Sequence, residues 1–255
     1  MKRLMLLLLA LMMLLASASA DELLTLGAPL EGVICWPEGS DEASAAYVYR
    51  YSYPQIAGDS EMAGLINGVY AYEVDYAYDF RVPMDAEMLD LEPGVQSYTN
   101  ITCQVTCLNE RCMSVLTTTE TMMGPAMSTI LSSRTFALQG GASSGAETHL
   151  PYLLGLLDES NTGDEWLEVR QTNKANECVW GLVWEIIEQQ MREGTVTFND
   201  DLDYDDFVGK FLPDTDFYLD ADGNPVFYIQ AGSIAPLTEG VLRYPFTMEE
   251  LLDEL

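Results

Sequence analysis

Residues 217–252 read FYLDADGNPVFYIQAGSIAPLTEGVLRYPFTMEELL, and their punctuation decides the fold class. Two short apolar runs, 216–219 and 226–230, flank Asp220-Ala221-Asp222-Gly223-Asn224-Pro225, the Asp, Gly and Asn chemistry of a tight turn between antiparallel strands. A loop holding Gly232, Pro236 and Gly240 leads to a third short strand over 241–245. Thr247 then occupies an N-cap position with Glu250 three residues on, and Met248, Leu251, Leu252 and Leu255 fall on one helical face. The chain is therefore expected to end on a docked helix.

Upstream, 96–108, 112–122 and 128–138 are rich in threonine, valine and isoleucine and are broken by Asn109-Glu110 and Gly124-Pro125, which predicts three strands of an antiparallel meander. From 164 to 192 the apolar period becomes helical, in two pieces divided near Thr172-Asn173 and ended by Gly194. Val179, Leu182, Val183, Ile186, Ile187 and Gln190 make its inner stripe, with Trp180 and Trp184 as flanking anchors. Tyr47, Tyr49, Tyr51 and Tyr53 alternate with Val48, Arg50 and Ser52, which is strand periodicity with one aromatic face, read as packing against a helix in preference to a sugar-stacking platform. That helix is capped by Asp59 or Ser60 and turns Met62, Leu65, Ile66, Val69, Tyr72 or Glu73, and Tyr76 to one side. Proline, glycine and acid from 83 to 94 predict a loop. The sum is an α+β fold with antiparallel sheets, helices packed on one face, and two interlocked lobes at 47–94 and 95–255, preceded by a lead-in at 21–46.

Residues 1–20 have the form of a secretion signal: Lys2 and Arg3, an apolar run from 4 to 16, then Ala18-Ser19-Ala20. Cleavage is expected before Asp21, with an uncleaved anchor as the alternative, and no cysteine lies near Asp21 to take a lipid. The chain is accordingly expected to be secreted or held in the cell envelope, with no membrane span after cleavage. Loss of Lys2 and Arg3 leaves nine basic residues against 41 acidic ones, a net charge of −32. Such a surface repels nucleic acid and anionic lipid and attracts cationic partners or divalent ions, although acidity also serves solubility alone.

Cys35, Cys103, Cys107, Cys112 and Cys178 all follow the leader, and an odd count in an exported chain permits one or two disulfides of unassigned pairing. In a regular strand Cys103 and Cys107 share a face and lie side by side. No fourth ligand at zinc-like spacing accompanies Cys103, Cys107 and Cys112. Asp220, Asp222 and Asn224 imitate the start of an EF-hand loop, but Pro225 and Ala231 stand where glycine and glutamate are required. Asp201, Asp203 and Asp205, in the acidic run 200–206, are candidates for a loose calcium site, against a solvated loop as the plainer reading. Gly141-Ala142-Ser143-Ser144-Gly145 fits G-x-S-x-G, yet the only histidine, His149, is six residues past Ser143 and is read as a hydrogen-bonded structural residue. No phosphate loop, nicotinamide fingerprint or H-E-x-x-H motif occurs, so no cofactor is expected.

The order of a Phe-Tyr strand, an acidic turn, VFYIQ and SIAP before a last strand and helix resembles the end of the bacterial extracellular family called domain of unknown function 3298, found in RsiV-type anti-sigma factors and beside some peptidoglycan deacetylases. Tyr53-Pro54-Gln55-Ile56 and Leu65-Ile66-Asn67 look like the domain that commonly precedes it, domain of unknown function 4163. Where that family carries Gly-Gly-Ala-His, this chain has Met123-Gly124-Pro125-Ala126-Met127, without histidine. The resemblance implies an exported, non-catalytic binding module: RsiV-type members recognise lysozyme, a basic protein. Only Met1 to Arg3 precede the apolar run here, so a sensing module alone is expected, recognising a protein, cationic by charge, or a cell-wall component. The alternative is a wall polysaccharide hydrolase, or its accessory domain, working through a carboxylate pair.

Overall fold

The computed structural model describes residues 24–88, 96–124, 126–139, 145–158 and 164–255. The leader and its cleavage site therefore lie outside the described residues, as do Pro125 and 140–144 with most of the G-x-S-x-G stretch. In chain order the elements are β1 Leu30–Trp36, β2 Tyr47–Tyr53, α1 Glu61–Tyr76, a π turn Ala77–Arg81, α2 Val82–Met88, then β3 Ser97–Leu108, β4 Cys112–Met123 and β5 Ala126–Ala137. After them come α3 Leu150–Leu153, α4 Glu165–Glu193, α5 Tyr204–Val208, β6 Phe217–Leu219, β7 Pro225–Ile229, β8 Leu242–Pro245 and α6 Met248–Glu254.

Strands β1 to β5 form one sheet in sequence order, and β6 to β8 form a second. β3, β4 and β5 are the expected meander. One junction differs from the antiparallel expectation: β2 and β3 pair in parallel, Tyr47 opposite Ser97 through Ser52 opposite Thr102. The reason is the connection, because α1 and α2 carry the chain back across the sheet and a strand that follows such a crossover enters in the same direction as the one before it. The expected lobes thus share one sheet. Leu30–Trp36, read as lead-in, is its edge strand. Its alternation of Leu30, Gly32, Ile34 and Trp36 toward the helix side was too short and too interrupted to announce a strand.

Each sheet carries helices on one face. On the five-stranded sheet, Tyr47, Tyr49, Tyr53, Met113, Val115 and Phe136 pack with Ala63, Ile66 and Tyr70 of α1, and Tyr53 stacks on Tyr70 with ring centroids 5.3 Å apart. The tyrosine row is a packing face. On the three-stranded sheet, Phe217, Leu219, Phe227 and Ile229 pack with Ala175, Val179, Val183 and Ile187 of α4. The remaining faces meet through Leu116, Leu131 and Tyr228, and Leu219 N–H donates to Ser114 Oγ at 3.0 Å. Gln230 extends this contact: its Nε2 donates to Leu131 O at 2.7 Å and its Oε1 accepts from Leu131 N at 3.0 Å. One side-chain amide thereby acts as a strand partner on the outer edge of β5. Gln230→Leu keeps the bulk and strands both backbone groups, so a loss of about 2–4 kcal/mol is expected, since each unpaired buried group costs roughly 1–3 kcal/mol; an unchanged urea midpoint would refute it.

Local rules account for the helix ends. Ser60 caps α1, accepting Ala63 N–H, and Asp164 caps α4. Thr247 and Glu250 make both reciprocal bonds of the predicted capping box, though Leu252 is exposed and Leu251 alone of the last helix is fully inside. α4 is one helix of 29 residues, not two. Thr172 and Asn173 are weak helix formers but not breakers, and burial of Ala175 and Asn176 beside them holds the turn. The helix ends as expected at Gly194, whose φ of 65° is left-handed. The expected loop from residue 83 is helical as far as Met88; Pro83 follows closely on the π turn, at the junction where the hydrogen-bond pattern changes from the π to the α spacing.

Candidate functional site

α1, the π turn and α2 run continuously from Glu61 to Met88. Their buried positions are Ala63, Ile66, Tyr70, Ala77, Val82 and Ala86. Ala77 and Val82 are five apart, one more than an α-helical turn allows on a single side, and the wider turn accommodates the extra residue. The outer side carries Tyr72, Tyr76, Phe80, Met84 and Met88, every fourth residue, and all are exposed, Tyr72 at 68% and Phe80 at 62%. Tyr72 stacks on Tyr76 at 6.3 Å and Tyr76 on Phe80 at 5.7 Å. In an unbroken α-helix such a row drifts around the axis; the wider π turn offsets that drift between Tyr76 and Phe80. Periodicity placed Leu65, Tyr72 and Tyr76 inside, and the structure corrects this: counting from Met62 instead of Ala63 selects the wrong flank, and the inner side is set by what fits beneath the tyrosine row.

Beside that row lies a groove of about 590 Å³ between the helix and the edge strand, lined by Val33, Ile34, Cys35, Glu38, Tyr51, Val74, Asp75, Tyr78 and Asp79, with Gly39 and Ser40 at one end. Gly32, opposite Tyr51 in the sheet, makes room for it, because a Cβ there would overlap the Tyr51 ring and hydroxyl. Tyr78 donates to Glu38 Oε1 at 3.1 Å, and that bond to a carboxylate raises the phenol pKa. Burial, with the Glu42 charge second, also raises the Cys35 thiol and keeps it protonated. Asp75 and Asp79 are exposed, one turn apart and on the rim between groove and aromatic row. Among the described residues neither makes a salt bridge, and the basic side chains nearby are engaged elsewhere: Arg81 with Asp85 at 3.8 Å, Arg134 with Glu73 at 2.6 Å and Arg50 with Glu42 at 2.9 Å. Carboxylates beside aromatic faces, with no cation among the described residues to neutralise them, are a setting for an ammonium or guanidinium group.

The residues singled out from sequence lie elsewhere. Asp201, Asp203 and Asp205 are not gathered around a point. Asp203 caps α5 by accepting Asp206 N–H at 2.9 Å, Asp205 sits in the first turn of that helix, and Asp201 is exposed in the preceding turn. Among the described residues no three histidine, cysteine or acidic side chains form a metal-holding cluster. Asp220 turns its Oδ1 inward to Asp222 and Asn224 N–H groups, serving its hairpin. All five cysteines are unbridged. Cys103 and Cys107 are not neighbours, because a bulge between Val105 and Cys107 inserts Thr106 and flips Cys107 to the other face. Cys103 faces the α1 side with Thr117, whereas Cys107 and Cys112 lie in the core of the second sheet. Trp180 donates to Phe211 O at 2.9 Å and Trp184 packs on Phe207 at 5.5 Å, both as anchors.

His149 meets Asp214, Nδ1 to Oδ2 at 3.8 Å. Burial raises the pKa of Asp214, opposed by the His149 charge, and burial likewise raises that of Asp216, opposed by the Leu212 N–H it accepts. Neither lines the groove. A folded-state pKa above the unfolded one means the native state binds the proton more tightly. These two acids therefore add stability as pH falls through their raised folded-state values and withdraw it as pH rises back toward neutral. Melting temperature is expected to increase on mild acidification, and the Asp214→Asn, Asp216→Asn double variant to flatten that slope; an unchanged slope would refute the assignment.

No family model matches this chain, and no curated protein matches it. Solved structures are similar to it, among them the following two. One, from Pseudomonas aeruginosa, is 12% identical with a TM-score of 0.47 over 92% of this chain and 95% of that one. The other, from Bacteroides fragilis, is 15% identical with a TM-score of 0.47 over 89% of this chain and 92% of that one. Both are described as members of the domain of unknown function 3298 family. At these identities the likeness is of overall shape and gives no residue a role. No helix among the described residues is long and apolar enough to cross a membrane.

Proposed function

We propose that the chain is an exported, non-catalytic binding module of the bacterial cell envelope that recognises a cationic protein through the outer side of the Glu61–Met88 helix. The observation that carries this is the rim of Asp75 and Asp79, unpaired by any cation of the described chain, set between a groove and a stacked row of exposed aromatic side chains. The net charge of −30 for the whole chain draws a basic partner in, and steering of this kind acts mainly on the rate of encounter. The aromatic row and methionines supply contact area that salt does not screen, and the groove admits a lysine or arginine side chain between carboxylates and tyrosines.

The test is calorimetric titration of the protein with a small basic protein, lysozyme, at low and at moderate salt. Saturable heat with one defined stoichiometry at both salt concentrations is expected. Heat that disappears at moderate salt would reduce the interaction to charge attraction and overturn the reading.

A further inference from the structure

Residues 109–111 join β3 to β4, and the bulge at Thr106 brings Cys107 to the same side as Cys112, where they are 2% and 6% exposed. Asn109 lies between them. Its Nδ2 donates to Cys107 Sγ at 3.3 Å and its Oδ1 accepts from Cys112 Sγ at 3.6 Å, while the same oxygen takes the N–H groups of Arg111 and Cys112 at 2.8 and 3.0 Å. The other three cysteines are dispersed: Cys35 on the edge strand, Cys103 on the α1 side beside Thr117, and Cys178 on α4 beside Leu251 O at 3.9 Å.

We propose that Cys107 and Cys112 are an oxidisable pair that closes residues 107–112 into a covalent loop by exchange with a small-molecule disulfide, the other three cysteines remaining thiols. The Cys112 thiolate attacks one sulfur of the oxidant, whose S–S bond breaks and releases one thiolate. Cys107 then loses its proton and attacks Cys112 Sγ, forming the intramolecular bond and releasing the second. Two protein thiols are oxidised, one disulfide is reduced, and the two protons end on the two released thiols. Cys112 is the attacking partner because the neighbouring Cys107 thiol, with the Arg111 charge assisting and burial opposing, lowers its pKa. The loop abuts the Asp220–Asn224 turn, with Asn109 Nδ2 against Gly223, so the bond would fix where the second sheet's hairpin docks.

The full chain is reduced, unfolded, refolded in oxidised glutathione and alkylated. The thiol count of the denatured product is expected to fall from five to three. Trypsin cuts after Arg81, Arg111 and Arg134, so peptides 82–111 and 112–134 should travel together until a reductant is added. Cys103→Ser should leave that link intact, and Cys107→Ser should abolish it and leave a glutathione adduct on Cys112. Five persisting thiols, peptides that separate without reductant, or a link that survives Cys107→Ser would each overturn the pairing. If Cys107→Ser does not fold, the peptide map of the unaltered chain and of Cys103→Ser decides.

Discussion

Phe227→Ala is expected to destabilise the protein by about 3–5 kcal/mol, the usual cost of removing a buried ring that its neighbours cannot collapse onto. Phe227 is wholly buried in the middle of β7 and meets three other rings, Phe211 at 6.2 Å and Phe217 and Phe246 at 6.0 Å each. These neighbours come from the segment after α5, from β6 and from the end of β8, so a cavity here loosens every element that α4 covers. Against a typical total stability of about 5–15 kcal/mol, a loss of this size leaves little. Urea unfolding followed by tryptophan fluorescence measures it, since Trp180 and Trp184 both border this core. A loss under about 1 kcal/mol would show that the ring cluster relaxes around the gap.

The second large effect concerns recognition. Asp75→Asn with Asp79→Asn is expected to weaken binding of a basic protein about tenfold or more, with the loss concentrated in the association rate at low salt. The fold should be unaffected or slightly firmer, because two like charges one helical turn apart repel and nothing in the described chain offsets them. Surface plasmon resonance at two salt concentrations, beside a melting curve, separates the outcomes. Unchanged affinity with unchanged stability would remove these acids from the binding face. Tyr76→Ser should act differently, shortening the lifetime of the complex by removing the middle ring of the stack at either salt concentration.

The C-terminal hairpin, its turn and the capping box were legible because their rules are local: Gly223 supplies the positive φ of 83° that the turn needs, and Thr247 reaches only as far as Glu250. The meander was legible from its period, and so was the helical character of 165–193, though as two pieces where the chain forms one helix. What escaped depends on partners distant in sequence or on a single extra residue. The direction of β3 against β2 follows from the crossover between them, and the placement of Cys107 from one inserted threonine. The acids of 200–206 looked like ligands because composition does not show that Asp203 is occupied with a helix end. The candidate groove was invisible for the first reason, since Val33, Tyr51, Asp75 and Tyr78 become neighbours only when the edge strand and the helix pack. Its one sequence signal was an aromatic residue at every fourth position, 72, 76 and 80, out of step with the positions that face inward.

The π turn separates two things that a plain helix would tie together. Were one residue, such as Tyr78, absent, Ala77 and Val82 would stand an ordinary helical turn apart and could both still face the sheet. The interior therefore does not require the additional residue; the solvent side is what gains from it. Length variation at this point would redraw the outward pattern of rings and acids while the architecture beneath stayed as it is, and the insertion or loss of one codon is enough to bring it about.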